Sequence, residues 1–367
     1  MSMEKYNKIH FIGIGGISMS SLAEILKSKG KTITGSDGVA SNVTKALENI
    51  GIQVSIGQKA ENITPDTDLI VYTAAVKEDN PELMAARASG IETVDRAALV
   101  GMMMLEYKFP LSVAGTHGKT TTSSLVTEIF LEANTNPTVS IGGILPSIKG
   151  NYKVGGEDYF ILETCEYCDS FLKFNPHGAI ILNIDADHLD YFKNLDNIYK
   201  SFNKFANRLP EGGFLVINNE IPRLSEVLEG VKAKVITYGK DNTADWYPTD
   251  VTFNDLGHAT YTVNHKGEKI AQVELSIPGM HNVYNSLSAF ALATCYGVAT
   301  EAIVKGIKNF TGTDRRFQFK GQFNGVNVID DYAHHPTEIQ ATINSARGTK
   351  LNKLWIMFQP HTYTRTY

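Results

Sequence analysis

Residues 115–121 read Gly-Thr-His-Gly-Lys-Thr-Thr and lie between an apolar strand pattern, Leu111 to Ala114, and a helical pattern, Thr120 to Leu131. A glycine-rich turn in this position lets backbone N–H groups and the helix N-terminus surround phosphate oxygens. Lys119 would contact the β- and γ-phosphates of ATP, and the Thr120 hydroxyl would bind Mg²⁺. The sequence therefore predicts a P-loop within a parallel α/β sheet. The predicted ATP-binding residues of this loop are Gly115, Thr116, His117, Gly118, Lys119, Thr120 and Thr121.

A second glycine-rich turn, Gly13-Ile-Gly-Gly-Ile-Ser, follows the apolar strand pattern Lys8 to Ile12. Asp37 ends the next strand pattern, where an acidic side chain commonly meets a ribose hydroxyl. This spacing alone is typical of NAD binding. Because Ser18 replaces the last glycine or alanine and any diphosphate fits such a turn, a nucleotide-sugar site and a merely tight turn stay open as alternatives.

Two side chains at predicted strand ends are candidate metal ligands beside the P-loop. Glu163 ends one buried strand pattern, and His188 follows the sequence Asn183-Ile-Asp-Ala-Asp after another. Ligands of open α/β sheets gather beyond the carboxyl ends of the strands. Carboxylate and hydroxyl oxygens suit Mg²⁺, whereas imidazole is a less usual ligand. The structural alternatives are a plain strand-end carboxylate and a turn histidine.

Further polar groups follow in the second half of the chain. His281, Asn282 and Asn285 open a helical pattern; the two asparagines share a face and would hydrogen-bond an adenine edge or cap the helix. Arg316 would stabilise a transferring phosphoryl group, or lie in solvent. Residues 330–336 and 359–365 are polar clusters after strand patterns, where substrates of such sheets bind; the alternative is a polar loop.

The strand and helix patterns divide the chain into three units, 1–107, 108–318 and 319–367. Alternating strands and helices predict a Rossmann-like first unit and an α/β second unit that contains a short antiparallel meander over residues 246–277. The third unit shows a strand at Val326 to Ile329, a helix at Pro336 to Ala346 and a strand at Leu354 to Phe358. One βαβ fragment cannot bury both faces of its sheet, so either it packs on the second unit or it is a truncated Rossmann-like domain.

Charge and cysteine content exclude several classes of protein. The net charge is −5, which does not favour a general nucleic-acid binder. No apolar run reaches membrane-spanning length and no secretory segment opens the chain, so we expect the cytoplasm. Cys165 and Cys168 form a C-x-x-C, but no second such pair completes a zinc site, which favours two reduced thiols over a redox or metal site.

Taken together, these motifs resemble the Mur ligase family over the whole length of the chain. The resemblance rests on an ordered set of segments: His10-Phe-Ile-Gly-Ile-Gly-Gly, Gly115-Thr-His-Gly-Lys-Thr-Thr, Asn183-Ile-Asp-Ala-Asp-His, His281-Asn-Val-Tyr-Asn, Arg315-Arg-Phe, Asp330-Asp-Tyr-Ala-His-His-Pro-Thr-Glu and Phe358-Gln-Pro-His. The first and last segments separate this type from the members that add later peptide residues.

The resemblance implies an ATP-dependent ligase that joins L-alanine to UDP-N-acetylmuramate in peptidoglycan precursor synthesis, with Mg²⁺. It implies catalytic roles for Lys119, Glu163, His188 and Arg316, and metal binding by Thr120, Glu163 and His188. It places the ATP at the P-loop with His281, Asn282, Asn285, Arg316 and Asp331. It places the UDP-sugar at Gly13, Gly15, Gly16, Ser18, Asp37 and Thr73, and the amino acid at Tyr332, His334 and Arg365.

The chain departs from the family pattern in three places. Thr-Cys-Glu-Tyr-Cys-Asp follows Glu163 where many members have Ala-Asp-Glu-Ser-Asp, and Thr362 replaces an arginine of some members. We also expect much of the amino-acid domain to be absent, and this chain therefore to bind nucleotide yet ligate poorly. The alternatives are a murein tripeptide ligase on the same sugar nucleotide, a non-catalytic nucleotide-binding fragment, and an NAD-dependent oxidoreductase that leaves the P-loop unexplained.

Overall fold

The computed structural model of the protein describes residues 3–360, which begin with a five-stranded parallel sheet. The strands are β1 (Lys8–Ile12), β2 (Thr32–Asp37), β3 (Gln53–Ile56), β4 (Leu69–Tyr72) and β5 (Glu92–Asp95), in the order β3-β2-β1-β4-β5. The helices are α1 (Ile17–Ser28), α2 (Asn42–Asn49), α3 (Pro81–Ala88) and α4 (Arg96–Met104). Because strand order reverses beside β1, the loop after β1 opens into a crevice suited to a ligand.

A ten-stranded mixed sheet forms the centre of the molecule, in the order β15-β14-β13-β12-β11-β10-β6-β9-β7-β8. Its parallel part contains β6 (Phe109–Ala114), β7 (Thr138–Leu145), β9 (Tyr159–Glu163), β10 (Gly178–Ile181), β11 (Phe214–Asn218) and β12 (Lys234–Tyr238). Its antiparallel edges contain β8 (Gly150–Lys153), β13 (Trp246–Phe253), β14 (His258–His265) and β15 (Glu268–Pro278). The last three strands are the meander that the sequence predicts.

Helices cover both faces of this central sheet. They are α5 (Lys119–Glu132), α6 (Leu189–Phe192), α7 (Leu195–Ala206), α8 (Leu224–Leu228), α9 (Met280–Cys295) and α10 (Thr300–Asn309). Neighbouring strand residues such as Ile180 and Ile181 point to opposite faces, and each joins a different hydrophobic cluster. Burial on both faces explains why these strands read as continuous apolar runs.

The first unit and the central sheet share one of these clusters. Met103 of α4 and Tyr107, just beyond that helix, belong to the same buried cluster as Phe160 of β9. Lys29 also lies over the Tyr107 ring, 4.3 Å from its centroid. Helix α4 therefore packs the two sheets into one continuous core. Among the described residues, no helix has the length and apolar character needed to cross a membrane.

The third unit differs in part from the prediction. It contains β16 (Gln318–Phe323), β17 (Val326–Asp330) and α11 (Pro336–Arg347), and the two strands form an antiparallel hairpin. Asn324 and Gly325 turn the hairpin with positive φ angles of 48° and 79°, as Asn-Gly turns commonly do. Strand β16 was not predicted from the sequence.

The strand predicted at Leu354 to Phe358 is wrong for the described part of the chain. Residues 353–360 have no regular secondary structure, and Trp355 is 77 % exposed and Met357 fully exposed. Within residues 3–360 no strand lies beside this segment, and an apolar run without a hydrogen-bonding neighbour does not form a sheet. The predicted strand Ala179 to Ile184 also ends early, at Ile181.

Gly101 in α4 lies against the backbone of the central unit. A Cβ atom at this position would lie 2.0 Å from the backbone oxygen of Lys173. We expect Gly101→Ala to lower the free energy of unfolding by roughly 1–3 kcal/mol, because backbone must move to relieve the overlap. Urea denaturation would measure this change. Gly212→Ala is the matched control, since a Cβ there meets nothing within 4 Å; equal effects of the two substitutions would contradict the prediction.

Candidate active site

The loop between β6 and α5 is held in place by Asn183, which lies two residues beyond the end of β10. The Thr116 N–H donates to the backbone oxygen of Asn183 (3.2 Å), and the His117 N–H donates to Asn183 Oδ1 (2.8 Å). Asn183 Nδ2 donates in return to the His117 carbonyl (3.0 Å). Gly118 starts the helix with φ +83°, and a Cβ there would lie 2.9 Å from Asn285 Oδ1. Glycine is therefore required at this position by backbone conformation and by space.

Lys119 lies beneath this loop, nearly buried. Its Nζ donates to the carbonyls of Gly115 (2.6 Å) and Thr116 (3.0 Å) and pairs with Glu166 Oε2 at 3.2 Å. Burial disfavours the ammonium form, but Glu166 and other negative groups nearby, Glu163 among them, together outweigh burial and raise the pKa of Lys119. The lysine is therefore charged at neutral pH and placed to contact an anion held by the loop.

Thr120 and Glu163 meet directly, as the sequence predicts for residues around one cation. The Thr120 hydroxyl donates to Glu163 Oε1 (3.1 Å), and the Gly142 N–H donates to Glu163 Oε2 (2.8 Å). Arg316 Nη2 lies 3.5 Å from Thr120 Oγ1. One hydroxyl and one carboxylate provide the oxygen donors that Mg²⁺ prefers.

His188 lies directly before α6, with a positive φ of 54°. Its Nε2 is 3.7 Å from Asp187 Oδ2, and its ring packs on Tyr167 with 4.7 Å between centroids. The structure therefore brings Thr120, Glu163 and Arg316 together and holds His188 in a neighbouring loop.

A cavity of about 950 Å³ opens beside the P-loop and is lined by residues of both the central unit and the third unit. The predicted site residues that line it are His117, Gly118, Thr121, His281, Asn282, Asn285, Arg316 and Asp331. The remaining residues of the loop are not part of this lining. The volume is in the range of small-molecule binding pockets.

The two asparagines of this cavity are buried and bonded to each other. Asn285 Nδ2 donates to Asn282 Oδ1 (3.0 Å), and Asn282 Nδ2 donates to the Pro278 carbonyl (2.7 Å). Burial lowers the pKa of the neighbouring His281. The Asp331 carboxylate accepts from the N–H groups of Phe317 and Ala333, both at 2.7 Å. In this arrangement Asp331 joins the segment that precedes β16 to the loop that follows β17.

His117 of the P-loop also contacts the third unit. Its Nδ1 lies 3.3 Å from Glu338 Oε1, and its Nε2 lies 3.2 Å from Asp185 Oδ2. Burial opposes the charged ring, but the two carboxylates outweigh burial and raise the pKa of His117. Burial likewise opposes charge on Glu338, yet the hydrogen bond and charge of His117, together with the His334 N–H and Arg316, lower its pKa to about 2.

The glycine-rich loop after β1 gathers the residues predicted for a UDP-sugar. The N–H groups of Gly13 and Ile14 donate to the Ser36 carbonyl (2.8 and 2.9 Å), and the Gly15 N–H donates to Asp37 Oδ2 (2.9 Å). Gly13 has φ +83°, and a Cβ there would lie 2.6 Å from Thr73 Cγ2. Gly16 and Ser18 are exposed at the start of α1. The carboxylate of Asp37 braces the loop itself.

The residues predicted to bind the amino acid lie beside the two arginines. The guanidinium groups of Arg315 and Arg316 lie 4.8 and 5.5 Å from the centroid of the Tyr332 ring. His334 packs edge-on against that ring and its Nδ1 is 3.0 Å from the Tyr332 carbonyl. Arg365, which completes the prediction, lies outside the described residues, and so does Thr362.

Several residues of this region were missed by the sequence analysis. Gly142 and Gly143 lie inside β7, where a Cβ would come within 2.6 Å of Glu163 and 2.8 Å of Thr120 respectively. Two adjacent glycines inside a strand signal such a close approach. Nothing in the sequence identifies Glu166 as the partner of Lys119. Cys165 and Cys168 are free thiols, and burial raises the pKa of Cys165.

Comparison with known proteins now decides the family. Residues 8–108 match the model "Mur ligase family, catalytic domain", residues 113–293 match "Mur ligase middle domain", and residues 315–366 match "Mur ligase, glutamate ligase domain". The chain belongs to the Mur ligase family.

Similar Mur ligases share this fold and nearly the full length of the chain. A UDP-N-acetylmuramate–L-alanine ligase of Agathobacter rectalis is 53 % identical over 98 % of this chain and 78 % of that protein. The UDP-N-acetylmuramate–L-alanine ligase of Acetivibrio thermocellus is 48 % identical over 99 % of this chain and 77 % of that protein. The crystal structure of UDP-N-acetylmuramate–alanine ligase of Thermotoga maritima has a TM-score of 0.79 at 31 % identity, over 93 % and 77 %. A murein peptide ligase of Psychrobacter arcticus has a TM-score of 0.78 at 27 % identity, over 93 % and 76 %. The resemblance to this family and the predicted α/β fold class are thereby confirmed.

The Lys119–Glu166 pair generates a prediction about anion binding. Glu166 is 2 % exposed and neutralises the lysine that would contact phosphates. Glu166→Gln removes that competing charge, so we expect roughly tenfold tighter binding of ADP, which is about 1.4 kcal/mol. Calorimetric titration without Mg²⁺ would measure it. Glu132→Gln, at the other end of α5, is the control and should leave ADP affinity unchanged. Weaker ADP binding by Glu166→Gln would show that Glu166 does not compete with phosphates.

Proposed function

We propose that this chain is an ATP-dependent ligase that joins L-alanine to UDP-N-acetylmuramate, releasing ADP and phosphate. The observation that carries the proposal is the charged Lys119 under the P-loop, beside the Thr120–Glu163 pair, in a chain 46–53 % identical to relatives that bear this name. The substrates of those relatives suit the two glycine-rich loops, one on each parallel sheet. A ligase of this type, using ATP, is expected to act in the cytoplasm.

The proposed reaction has two steps. The lactyl carboxylate of the sugar attacks the γ-phosphorus of ATP, so that an acyl phosphate forms and ADP leaves. The amine of L-alanine then attacks the acyl carbon, and phosphate leaves from the tetrahedral intermediate with loss of a proton. Phosphorylation is needed because a carboxylate would otherwise have to expel oxide. The first step brings two anions together, so positive charge at the phosphates is the main requirement.

The residues of the central unit suit this requirement. We propose that Lys119 contacts the β- and γ-phosphates after exchanging Glu166 for phosphate oxygen, and that Arg316 offsets charge on the transferring group. Thr120 and Glu163 would hold Mg²⁺, with His188 reaching the same ion after a movement of its loop. When bound, Mg²⁺ would supply charge that neutralises the phosphate oxygens. The oxygen pair of Thr120 and Glu163 fits this ion, and the imidazole of His188 fits it less well.

The other groups would position the three substrates. Asn282, Asn285 and His281 line the cavity where we place adenine, and Asp331 lies where we place the ribose. Gly13, Gly15, Gly16, Ser18, Asp37 and Thr73 would hold the UDP-sugar. Tyr332 and His334, with Arg365, would receive the amino acid. We assign residues 1–107 to the sugar, 108–318 to ATP and 319–367 to the amino acid.

An ADP-release assay distinguishes the proposed substrate from its closest rival. With ATP and UDP-N-acetylmuramate present, we expect L-alanine to stimulate ADP release and the murein tripeptide to have no effect. Release that depends on the tripeptide alone would make the chain a murein peptide ligase, like the structurally similar Psychrobacter arcticus protein. No release with either amine donor, from a chain that binds ATP, would indicate a non-catalytic nucleotide-binding protein.

Lys119→Ala tests the P-loop assignment. We expect a loss of about 10²–10³-fold in the rate of ADP release, because the substitution removes a charge that stabilises the transferring phosphoryl group. Since Lys119→Ala leaves Glu166 buried without its partner, the double variant Lys119→Ala, Glu166→Gln removes both charges and guards against misfolding. Melting temperature would confirm the fold of each variant. A normal rate in the well-folded double variant would contradict the assignment.

A further inference from the structure

Three side chains from separate parts of the chain meet beside the large cavity, which His117 and Asp185 line. His117 belongs to the P-loop, Asp185 follows β10, and His335 directly precedes α11. One ligand atom of each lies within 4.8 Å of the others. We propose that His117, Asp185 and His335 form a binding site for one divalent transition-metal cation of the Zn²⁺ type. None of these residues belongs to the Thr120–Glu163 pair.

The surroundings of His117 call for a positive charge beside its Nε2 atom. Its Nδ1 faces Glu338 Oε1 at 3.3 Å and its Nε2 faces Asp185 Oδ2 at 3.2 Å. A neutral imidazole carries one N–H group, so it can donate to only one of these carboxylates. With Nδ1–H donating to Glu338, the lone pair on Nε2 would face a carboxylate oxygen. A cation between Nε2 and Asp185 turns this repulsion into two bonds.

His335 has an unprotonated ring nitrogen on the side that faces Asp185, and this nitrogen makes only a long hydrogen bond. Its Nε2 lies 3.4 Å from the Ala186 carbonyl, which can only accept, so this nitrogen carries the proton. Its Nδ1 weakly accepts from the Thr337 N–H at 3.3 Å, which agrees with an unprotonated nitrogen. The same Nδ1 lies 4.0 Å from Asp185 Oδ2. The nitrogen suited to metal binding therefore faces the other two ligands.

The atoms behind the ligands resemble the supports found around protein metal sites. Ligating histidines usually donate their other N–H to a carboxylate or a backbone carbonyl, which fixes ring orientation. Glu338 has this position behind His117, and the Ala186 carbonyl has it behind His335. The Thr337 hydroxyl also donates to Asp185 Oδ2 (2.9 Å), and the Ala186 N–H donates to Asp185 Oδ1 (2.8 Å).

The donor set selects the type of cation. Two imidazoles, one carboxylate and an open position suit tetrahedral Zn²⁺ or Co²⁺, whereas Mg²⁺ prefers oxygen donors only. Metal–ligand bonds of about 2.0–2.2 Å in a tetrahedron separate neighbouring ligand atoms by about 3.4 Å. The His117–Asp185 separation already meets this value, and the His335–Asp185 separation is longer by roughly half an ångström, a distance that a side-chain rotation covers.

The rival explanation is a proton in place of the metal. A doubly protonated His117 would donate to both carboxylates and join the P-loop to α11 without any metal ion. The two explanations differ in what happens when metal is added. A metal ion would also bring His335 towards His117, so that the P-loop and the start of α11 are bound to one ion, and it would narrow the cavity at its rim.

Titration with Co²⁺, whose visible absorption reports tetrahedral nitrogen and oxygen ligands, tests the proposal on the whole chain. We expect one Co²⁺ with tetrahedral absorption per chain, displaced by Zn²⁺, and at least tenfold weaker binding at this site in His335→Gln and in Asp185→Asn. Glu338→Gln keeps all three ligands and should weaken binding by about 10–100-fold through the orientation of His117. His265→Gln, which removes a histidine that stacks on Trp246 away from the cavity, should bind as the unsubstituted protein does.

Two further variants separate this site from other metal-binding groups. Glu163→Gln and Cys165→Ser should both keep the tetrahedral Co²⁺ site. The unsubstituted protein should show no thiolate-to-cobalt absorption in the near ultraviolet. The melting temperature without metal would show that His335→Gln and Asp185→Asn remain folded. Three results would overturn the proposal. The Co²⁺ affinity could be unchanged in His335→Gln and Asp185→Asn, it could be lost in Cys165→Ser or Glu163→Gln, or the unsubstituted protein could bind no Co²⁺.

Discussion

The bonds between Asn183 and the P-loop determine how the central unit presents its charged groups. One side chain binds both the N–H and the carbonyl of His117, and the Asn183 backbone accepts from Thr116. The opposite side of the loop is closed by Asn285, which leaves no room for a side chain at Gly118. Because the loop is held from both sides, α5 starts at a fixed place and Lys119 and Thr120 point to fixed partners. The same bonds explain why β10 ends at Ile181, since Leu182 and Asn183 bond to β6 and its loop.

Strands and helices could be predicted from the sequence where both faces of a strand are buried or where buried and exposed residues alternate with a strict period. Strands such as Lys8–Ile12 and Phe214–Asn218 are apolar on both faces, and their bounds agree with the prediction. The strand predicted at Leu354 to Phe358 has the same apolar character but no neighbouring strand in residues 3–360 to bond with. Strand β7 escaped prediction because Gly142 and Gly143 interrupt its pattern. Those glycines leave space for the side chains of Glu163 and Thr120. The residue pattern of one segment does not reveal which side chains of other segments pack against it.

The site illustrates the same limit at the level of single side chains. Residue type and position after a strand were enough to single out Lys119, Thr120 and Glu163, since the carboxyl ends of parallel strands converge. Partner choice was not predictable. Glu166 reaches Lys119 only because the turn after β9 passes beneath the loop, and His117 reaches Glu338 only because α11 packs across the cavity. The contact between Asp37 and the Gly15 amide, in which the carboxylate accepts from that N–H at 2.9 Å, was likewise not predicted from the sequence.

The pairing of Lys119 with Glu166 has a consequence for anion binding. Lys119 already makes three contacts, and one oxygen of Glu166 is buried without a hydrogen-bond partner among the described residues. An arriving phosphate must therefore exchange with Glu166 rather than meet an unpaired cation. After the exchange, Glu166 would be a buried carboxylate near a second anion, an arrangement that costs several kcal/mol unless further positive charge enters. The cation expected between Thr120 and Glu163 would lower that cost, because Glu163 is only three residues from Glu166 in the chain. Binding of anion and cation at this loop should thus be mutually dependent.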